Sequence, residues 1–199
     1  MFVASLKQPI LAALGIALAA LSFGTGSTFG AELSIRDVIF SQETLYRPDR
    51  FEVRGGGFAH CCFVESGSTA LGLEIVTPRL FTLPALPEFF TPRFHFGGIV
   101  DLNGHTSYGY GGLLFTFNIT QRIFAEPFIG IAVSNGVKNG DATHNAIGCT
   151  TLIHSGGNIG YRLNQNLSVM LTLDHISNGG LCSRNLGVNN YGGKIGYNF

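Results

Sequence analysis

The chain has 199 residues, with 12 Lys+Arg against 12 Asp+Glu and a formal net charge of zero. A neutral chain of this kind offers no electrostatic handle for nucleic acid, so that class of partner is excluded. Charged residues are only 12% of the total, about half the usual share for soluble domains. Glycine reaches 28 residues, aromatics 12%, and tryptophan is absent.

Residues 1–30 carry one charge, Lys7, then an apolar run from Ile10 to about Phe23, then small residues ending at Thr28 and Gly30. That order predicts a secretory signal peptide cleaved before Ala31. The apolar run is short for a membrane-spanning helix, which needs about 20 residues. Without residues 1–30, the chain keeps 12 − 1 = 11 basic residues and 12 − 0 = 12 acidic ones. Residues 31–50 are polar and irregular and read as an N-terminal lead-in.

From residue 51 onward the pattern is strand-like, alternating apolar and polar with period two. Segment 51–59 sets Phe51 and Val53 against Glu52 and Arg54. Segment 69–76 sets Leu71, Leu73 and Ile75 against Ala70, Gly72 and Glu74. Pro78, Pro84, Pro87 and Pro92 follow, in a stretch that cannot be central strand. Segment 94–102 sets Phe94, Phe96 and Val100 against His95 and Asp101, and Asn103-Gly104 makes a tight turn. Segment 108–117 sets Leu113, Phe115 and Phe117 against Tyr108, Tyr110 and Thr116.

Segment 123–133 sets Ile123, Ile129, Ile131 and Val133 against Glu126. The longest loop, 134–149, is rich in Asn, Gly and Asp. Segment 151–163 sets Ile153, Ile159 and Tyr161 against His154, Asn158 and Arg162. Segment 167–178 sets Leu167, Val169, Leu171 and Leu173 against Ser168, Thr172 and Asp174. The last, 189–199, sets Tyr191, Ile195, Tyr197 and Phe199 against Asn190, Lys194 and Asn198.

Eight segments of roughly ten residues, low in charge and following an export signal, predict an all-β fold. The specific expectation is an eight-stranded antiparallel transmembrane β-barrel over 51–199, in a bacterial outer membrane. The apolar face meets lipid. The other face carries Glu52, Arg54, Glu74, Arg93, Glu126, Asp174 and Lys194, which must pair with one another inside the lumen. The alternative is a soluble ligand-carrying barrel with its apolar face inward. The alternating aromatic strand that ends on Phe199 favours the membrane form, since outer-membrane assembly machinery reads such a strand. Short turns belong on the periplasmic side and longer loops outside, which puts loops 134–149 and 179–188 at the extracellular end. The Pro-rich connection is long for its side.

By parity His175 and Ser177 continue the outward row Leu167, Val169, Leu171, Leu173. Residues i and i+2 of a strand share a face, so the two meet near the outer rim, at lipid head-group depth. Serine is a weak nucleophile until a neighbouring base takes its proton. Taken alone, the pair reads either as a plain hydrogen bond at the rim or as a site that cleaves an ester in a lipid of the outer leaflet. His60, His95, His105, His144 and His154 show no metal-like spacing and read as lumen or loop residues. Gly55-Gly56-Gly57 lies on a strand with no helix after it, so it is no phosphate loop.

The longer string His175-x-Ser177-Asn178-x-Gly180-Leu181, then Asn185-x-Gly187, then the terminal strand, resembles the outer-membrane lipid A deacylases of the PagL type. So do 52–60 (EVRGGGFAH), 108–126 (YGYGGLLFTFNITQRIFAE) and 156–174. The resemblance implies an eight-stranded barrel that hydrolyses an acyl ester of lipid A with a Ser-His-acid triad, and it implies neither metal nor cofactor. Carried over, Ser177 is the nucleophile and His175 the general base. Asn178, Gly180 and Asn185 are candidates for holding the oxyanion. The family's carboxylate falls twelve residues after the serine, where this chain has Asn189. An amide can orient the imidazole but cannot offset the imidazolium charge. The competing expectation is therefore a structural or adhesion-type barrel with weak or no catalysis.

Cys61, Cys62, Cys149 and Cys182 all fall at the expected extracellular end, and export passes an oxidising compartment. Closure of the barrel brings the first loop beside the last. The alternatives are four unpaired thiols, or bonds that join Cys182 to Cys61 or Cys62 with Cys149 taking the other.

Overall fold

The computed structural model describes residues 45–79, 81 and 88–199. The expected signal peptide, and the lead-in up to residue 44, lie outside the described residues. Among the described residues no helix is long and apolar enough to cross a membrane.

The strands are β1 (Glu52–Cys61), β2 (Thr69–Val76), β3 (Arg93–Asp101), β4 (Tyr108–Leu114), β5 (Phe117–Asn118), β6 (Ile123–Ser134), β7 (Thr151–Arg162), β8 (Leu167–Ser177) and β9 (Val188–Asn198). A 3-10 turn at Glu88–Phe90 precedes β3. All pairings are antiparallel, and β1 pairs with β9 from Glu52↔Asn198 to Cys61↔Asn189, closing the sheet.

Strands β4 and β5 are one stave. Both pair with β6 in a single register, Leu114↔Phe128 and Phe117↔Ala125. The interruption has a chemical cause at Pro127, which faces Phe115 in that register. Phe115 N–H donates to the Pro127 carbonyl at 3.0 Å, but proline has no N–H to return the bond. Counted as staves, the barrel has the eight strands that the alternation predicts.

Parity holds around the wall. Leu71, Leu73, Val100, Ile131, Ile159, Leu171 and Leu173 are all more than half exposed on the outside, and Glu52, Arg54, Glu74, Arg93, Glu126, Asp174 and Lys194 are all buried within. An apolar exterior around a polar lumen is the reverse of a soluble barrel and fits a hydrocarbon surrounding.

The lumen charges pair as their mixed signs require. Arg54 Nη2 donates to Glu52 Oε2 at 2.8 Å, and its Nη1 lies 2.8 Å from Glu126 Oε2. Arg93 Nη1 donates to Glu52 Oε2 at 3.1 Å, and Lys194 Nζ donates to Glu74 Oε2 at 3.3 Å. His95 Nδ1 lies 2.8 Å from Glu74 Oε1. Higher up, His154 Nε2 lies 2.8 Å from Asp174 Oδ2, and Tyr108 Oη donates to Asp174 Oδ1. Tyr110 and Phe128 stack on the His154 ring, with centroids 4.1 and 4.9 Å away. An unpaired charge here would cost several kcal/mol.

Loops 62–68, 102–107, 135–150 and 178–187 gather at one end, the loop end. Residues 77–79 and 88–92 and turns 119–122 and 163–166 lie at the other, with the lead-in residue Tyr46. There Arg162 sits over the Tyr46 ring at 4.8 Å and Arg79 Nη2 donates to Tyr46 Oη at 3.2 Å.

The disulfide expectation is corrected. Cys149 bonds Cys182, with Cα atoms 6.1 Å apart, and Cys61 bonds its neighbour Cys62. The reason is topological. Cys182 lies in the half of the last loop that leaves β8, and the neighbour on that side is β7, which Cys149 leads into. The first loop borders the other half, which enters β9.

Candidate active site

His175 and Ser177 sit at the loop end of β8, on its outward face, half-buried and directly above the exposed Leu173. Register places Asn189 of β9 opposite His175 on one side and Ser155 of β7 on the other, and places Ile153 beside Ser177. His175 Nδ1 and Asn189 Oδ1 are 2.7 Å apart. A carboxamide oxygen can only accept, so Nδ1 carries the proton and donates it. The Nε2 lone pair is thereby left to act as a base.

Gly187, the last residue before β9, is packed between the two side chains. A Cβ on it would lie 3.2 Å from His175 Cε1 and 3.3 Å from Ser177 Cβ. Its φ of +65° belongs to the left-handed region that favours glycine.

The three expected oxyanion donors have different surroundings. Asn178 is buried, and both of its amide protons are committed: Nδ2 donates to the Ile147 carbonyl at 2.9 Å and to the Arg184 carbonyl. Its Oδ1 accepts from Gly180 N–H at 2.9 Å, and its own N–H donates to Asn185 Oδ1 at 2.9 Å. Asn178 is thus the clasp of the last loop rather than a donor facing outward. Asn185 is exposed and engages through its oxygen, which leaves its NH2 group for a ligand. Gly179 and Gly180 both have positive φ, 62° and 84°, and shape the turn after Ser177.

Asp174, next in sequence to His175, points inward and is bound by His154 and Tyr108. It is separated from the wall histidine by the sheet itself. Of the other histidines, His60, His95 and His154 are buried inside, while His105 and His144 lie in loops with ring centroids 5.7 Å apart. Among the described residues no three His, Cys, Asp or Glu side chains meet in a way that could hold a metal ion.

Sequence reading missed the cap over the loop end. Buried Glu65 accepts from Thr106 Oγ1 at 2.8 Å, from Thr106 N–H at 3.1 Å and from Asn145 N–H at 2.9 Å. Burial works against its ionisation. The nearby His60 ring, 3.5 Å away, and hydrogen bonds from Asn145 and Thr106 outweigh that and hold the carboxyl at about 2. These residues sit in irregular loops, where no periodicity marks which side chains turn inward.

A comparison with curated proteins finds no match. Among solved structures, the barrel is similar to the outer membrane enzyme PagL, with 18% identity and a TM-score of 0.58 over 73% of this chain and 98% of that one. It is also similar to a de novo designed transmembrane β-barrel (12% identity, TM-score 0.52, covering 77% and 98%). A third is the N-terminal β-barrel domain of Pseudomonas aeruginosa OprF (16%, 0.51, covering 76% and 98%). At these identities the likeness speaks for the fold. The model of the lipid A 3-O-deacylase (PagL) family matches residues 84–198, more than half of the chain, and with the closed barrel and its lipid-facing wall it leads to one conclusion: this chain is an outer-membrane barrel belonging to the PagL lipid A 3-O-deacylase family.

Proposed function

We propose that the protein is an esterase that removes an ester-linked acyl chain from lipid A, working at the extracellular rim of the barrel. Ser177 attacks the ester carbonyl while His175 Nε2 takes its proton. The tetrahedral oxyanion collapses, and His175 returns the proton to the sugar hydroxyl as the C–O bond breaks. Water, deprotonated by the same base, then releases the fatty acid from Ser177. Asn189 holds the ring in the tautomer this cycle needs. The Asn185 amide and the backbone of the turn at Gly180 are the groups we assign to the oxyanion.

The observation that carries the reading is the His175–Asn189 bond of 2.7 Å beside an outward-facing serine, in a member of this family. The substrate reaches the pair from the bilayer, because the row beneath it is apolar and exposed. Assembly through the C-terminal strand by the outer-membrane machinery belongs to the same proposal, on the strength of the aromatic pattern ending at Phe199.

A second reading, a barrel kept for structure or adhesion, rests on Asn189, which gives the imidazolium no opposing charge. Mass spectrometry of lipid A from cells making this protein or its Ser177→Ala variant separates the two. Loss of an acyl chain with the first protein alone supports the esterase. Identical, fully acylated lipid A in both supports the structural barrel.

A further inference from the structure

Strand β8 alone does not hold His175 and Ser177 in register. The Gly187 backbone is wedged between them and against the Ile176 carbonyl oxygen, which a Cβ on Gly187 would approach to 2.6 Å. What fixes Gly187 is a bond from another loop: Asn145 Nδ2 donates to the Gly187 carbonyl at 3.0 Å. Asn145 is 1% exposed, and its oxygen and backbone N–H are also engaged. Its Oδ1 accepts from Val64 N–H at 3.0 Å, and its N–H donates to Glu65 Oε1 at 2.9 Å.

The next two residues continue the seam. The Ala146 carbonyl accepts from Leu186 N–H at 2.9 Å, and the Ile147 carbonyl accepts from Asn178 Nδ2 at 2.9 Å. Residues 145–147 therefore run as a splint along the loop that carries the turn after Ser177, and Glu65 anchors the splint from the first loop. The Cys149–Cys182 bond ties the same two loops covalently.

We infer that Asn145 is a positioning residue for the wall pair, acting through Gly187 to set the spacing between the His175 imidazole and Ser177. The inference rests on the reading of these two as base and nucleophile. The donor on Asn145 is the group that matters. An aspartate side chain in its place would have nearly the same shape, yet it would present an oxygen to the Gly187 carbonyl and a second negative charge to Glu65. Released from its donor, the Gly187 peptide can rotate, and a shift of about 1 Å between reacting groups costs about a hundredfold in rate.

The test uses the purified full-length protein in detergent, comparing wild type, Asn145→Asp and Ser183→Ala, an exposed residue of the last loop away from Gly187. Two quantities are measured: kcat and KM on lipid A, and the chemical shift of the His175 Cε1–H group, the ring edge that abuts Gly187. Expected for Asn145→Asp is a fall in kcat of about tenfold to a hundredfold, with KM within about twofold, and a displaced His175 resonance in a barrel that still runs as folded on a gel. Ser183→Ala should change neither. An unmoved resonance in Asn145→Asp, or an unchanged kcat, overturns the inference. If Asn145→Asp does not fold, Asn145→Ala is read by the same two measurements with the same outcomes. A wild type that leaves lipid A intact refutes the esterase reading, and the resonance then decides the positioning role by itself.

Discussion

Strand β8 contributes a residue to each of two histidine-centred constellations, Asp174 to one and His175 to the other, and they differ in which side of the wall they face. Inside, His154 is bound by Asp174, which also takes the Tyr108 hydroxyl, under stacked aromatic rings. Outside, His175 is bound by Asn189 and stands beside Ser177. Asp174 and His175 are adjacent in sequence, yet the pleat sends them to opposite faces. The lumen set has the carboxylate but is sealed by its own packing. The wall set faces the apolar outside of the sheet but has only an amide. On the proposed reading, accessibility, rather than the completeness of the acid-base set, separates a structural network from a reactive one.

The sharpest break in that comparison comes from Ser177→Ala and His175→Ala. Each should lower the rate of lipid A hydrolysis by about 10³-fold or more, with the unfolding free energy of the barrel in urea moved by less than about 1 kcal/mol. The lumen responds the other way. Arg54→Ala leaves Glu126 without its ion-pair partner and Glu52 with Arg93 alone and should cost about 3–5 kcal/mol, read from equilibrium unfolding in detergent. Asn189→Glu, which restores an acid to the wall, should raise kcat about tenfold, since a charged partner stabilises the imidazolium. Asp174→Asn, the same change in reverse inside the lumen, should leave kcat of the folded protein within about twofold while lowering stability by about 1–3 kcal/mol.

The smallest effect concerns the cap. The Glu65 carboxyl falls from the usual 4.5 to about 2 on folding. Its contribution is therefore complete above about 4.5 and is lost as the pH drops toward about 2. Acid titration of loop-end stability should show that loss in the wild type, and Glu65→Gln should flatten it.

The barrel was legible because alternation reports the facing of every residue. Leu171, Leu173, His175 and Ser177 declare one face, and Asp174 the other. The Asn189 partner was legible only through the family resemblance, which marks the position twelve residues after the serine; parity then puts it outward on the strand beside β8. The break between β4 and β5 was less so, because it depends on Pro127 lying opposite Phe115 in a neighbouring strand. The disulfide pairing, the clasp at Asn178 and the splint at 145–147 were not legible. Their geometry comes from side chains bonding carbonyls across loops, which leaves no period and no fixed spacing in the sequence.

The most direct test of the account is covalent labelling of the purified barrel with a fluorophosphonate. Such a probe bonds a serine oxygen that a neighbouring base has activated, releasing fluoride. The account predicts a single adduct on Ser177 in the wild type and none in His175→Ala at equal folded protein. Equal labelling of both, or a folded wild type that takes no label, would contradict it.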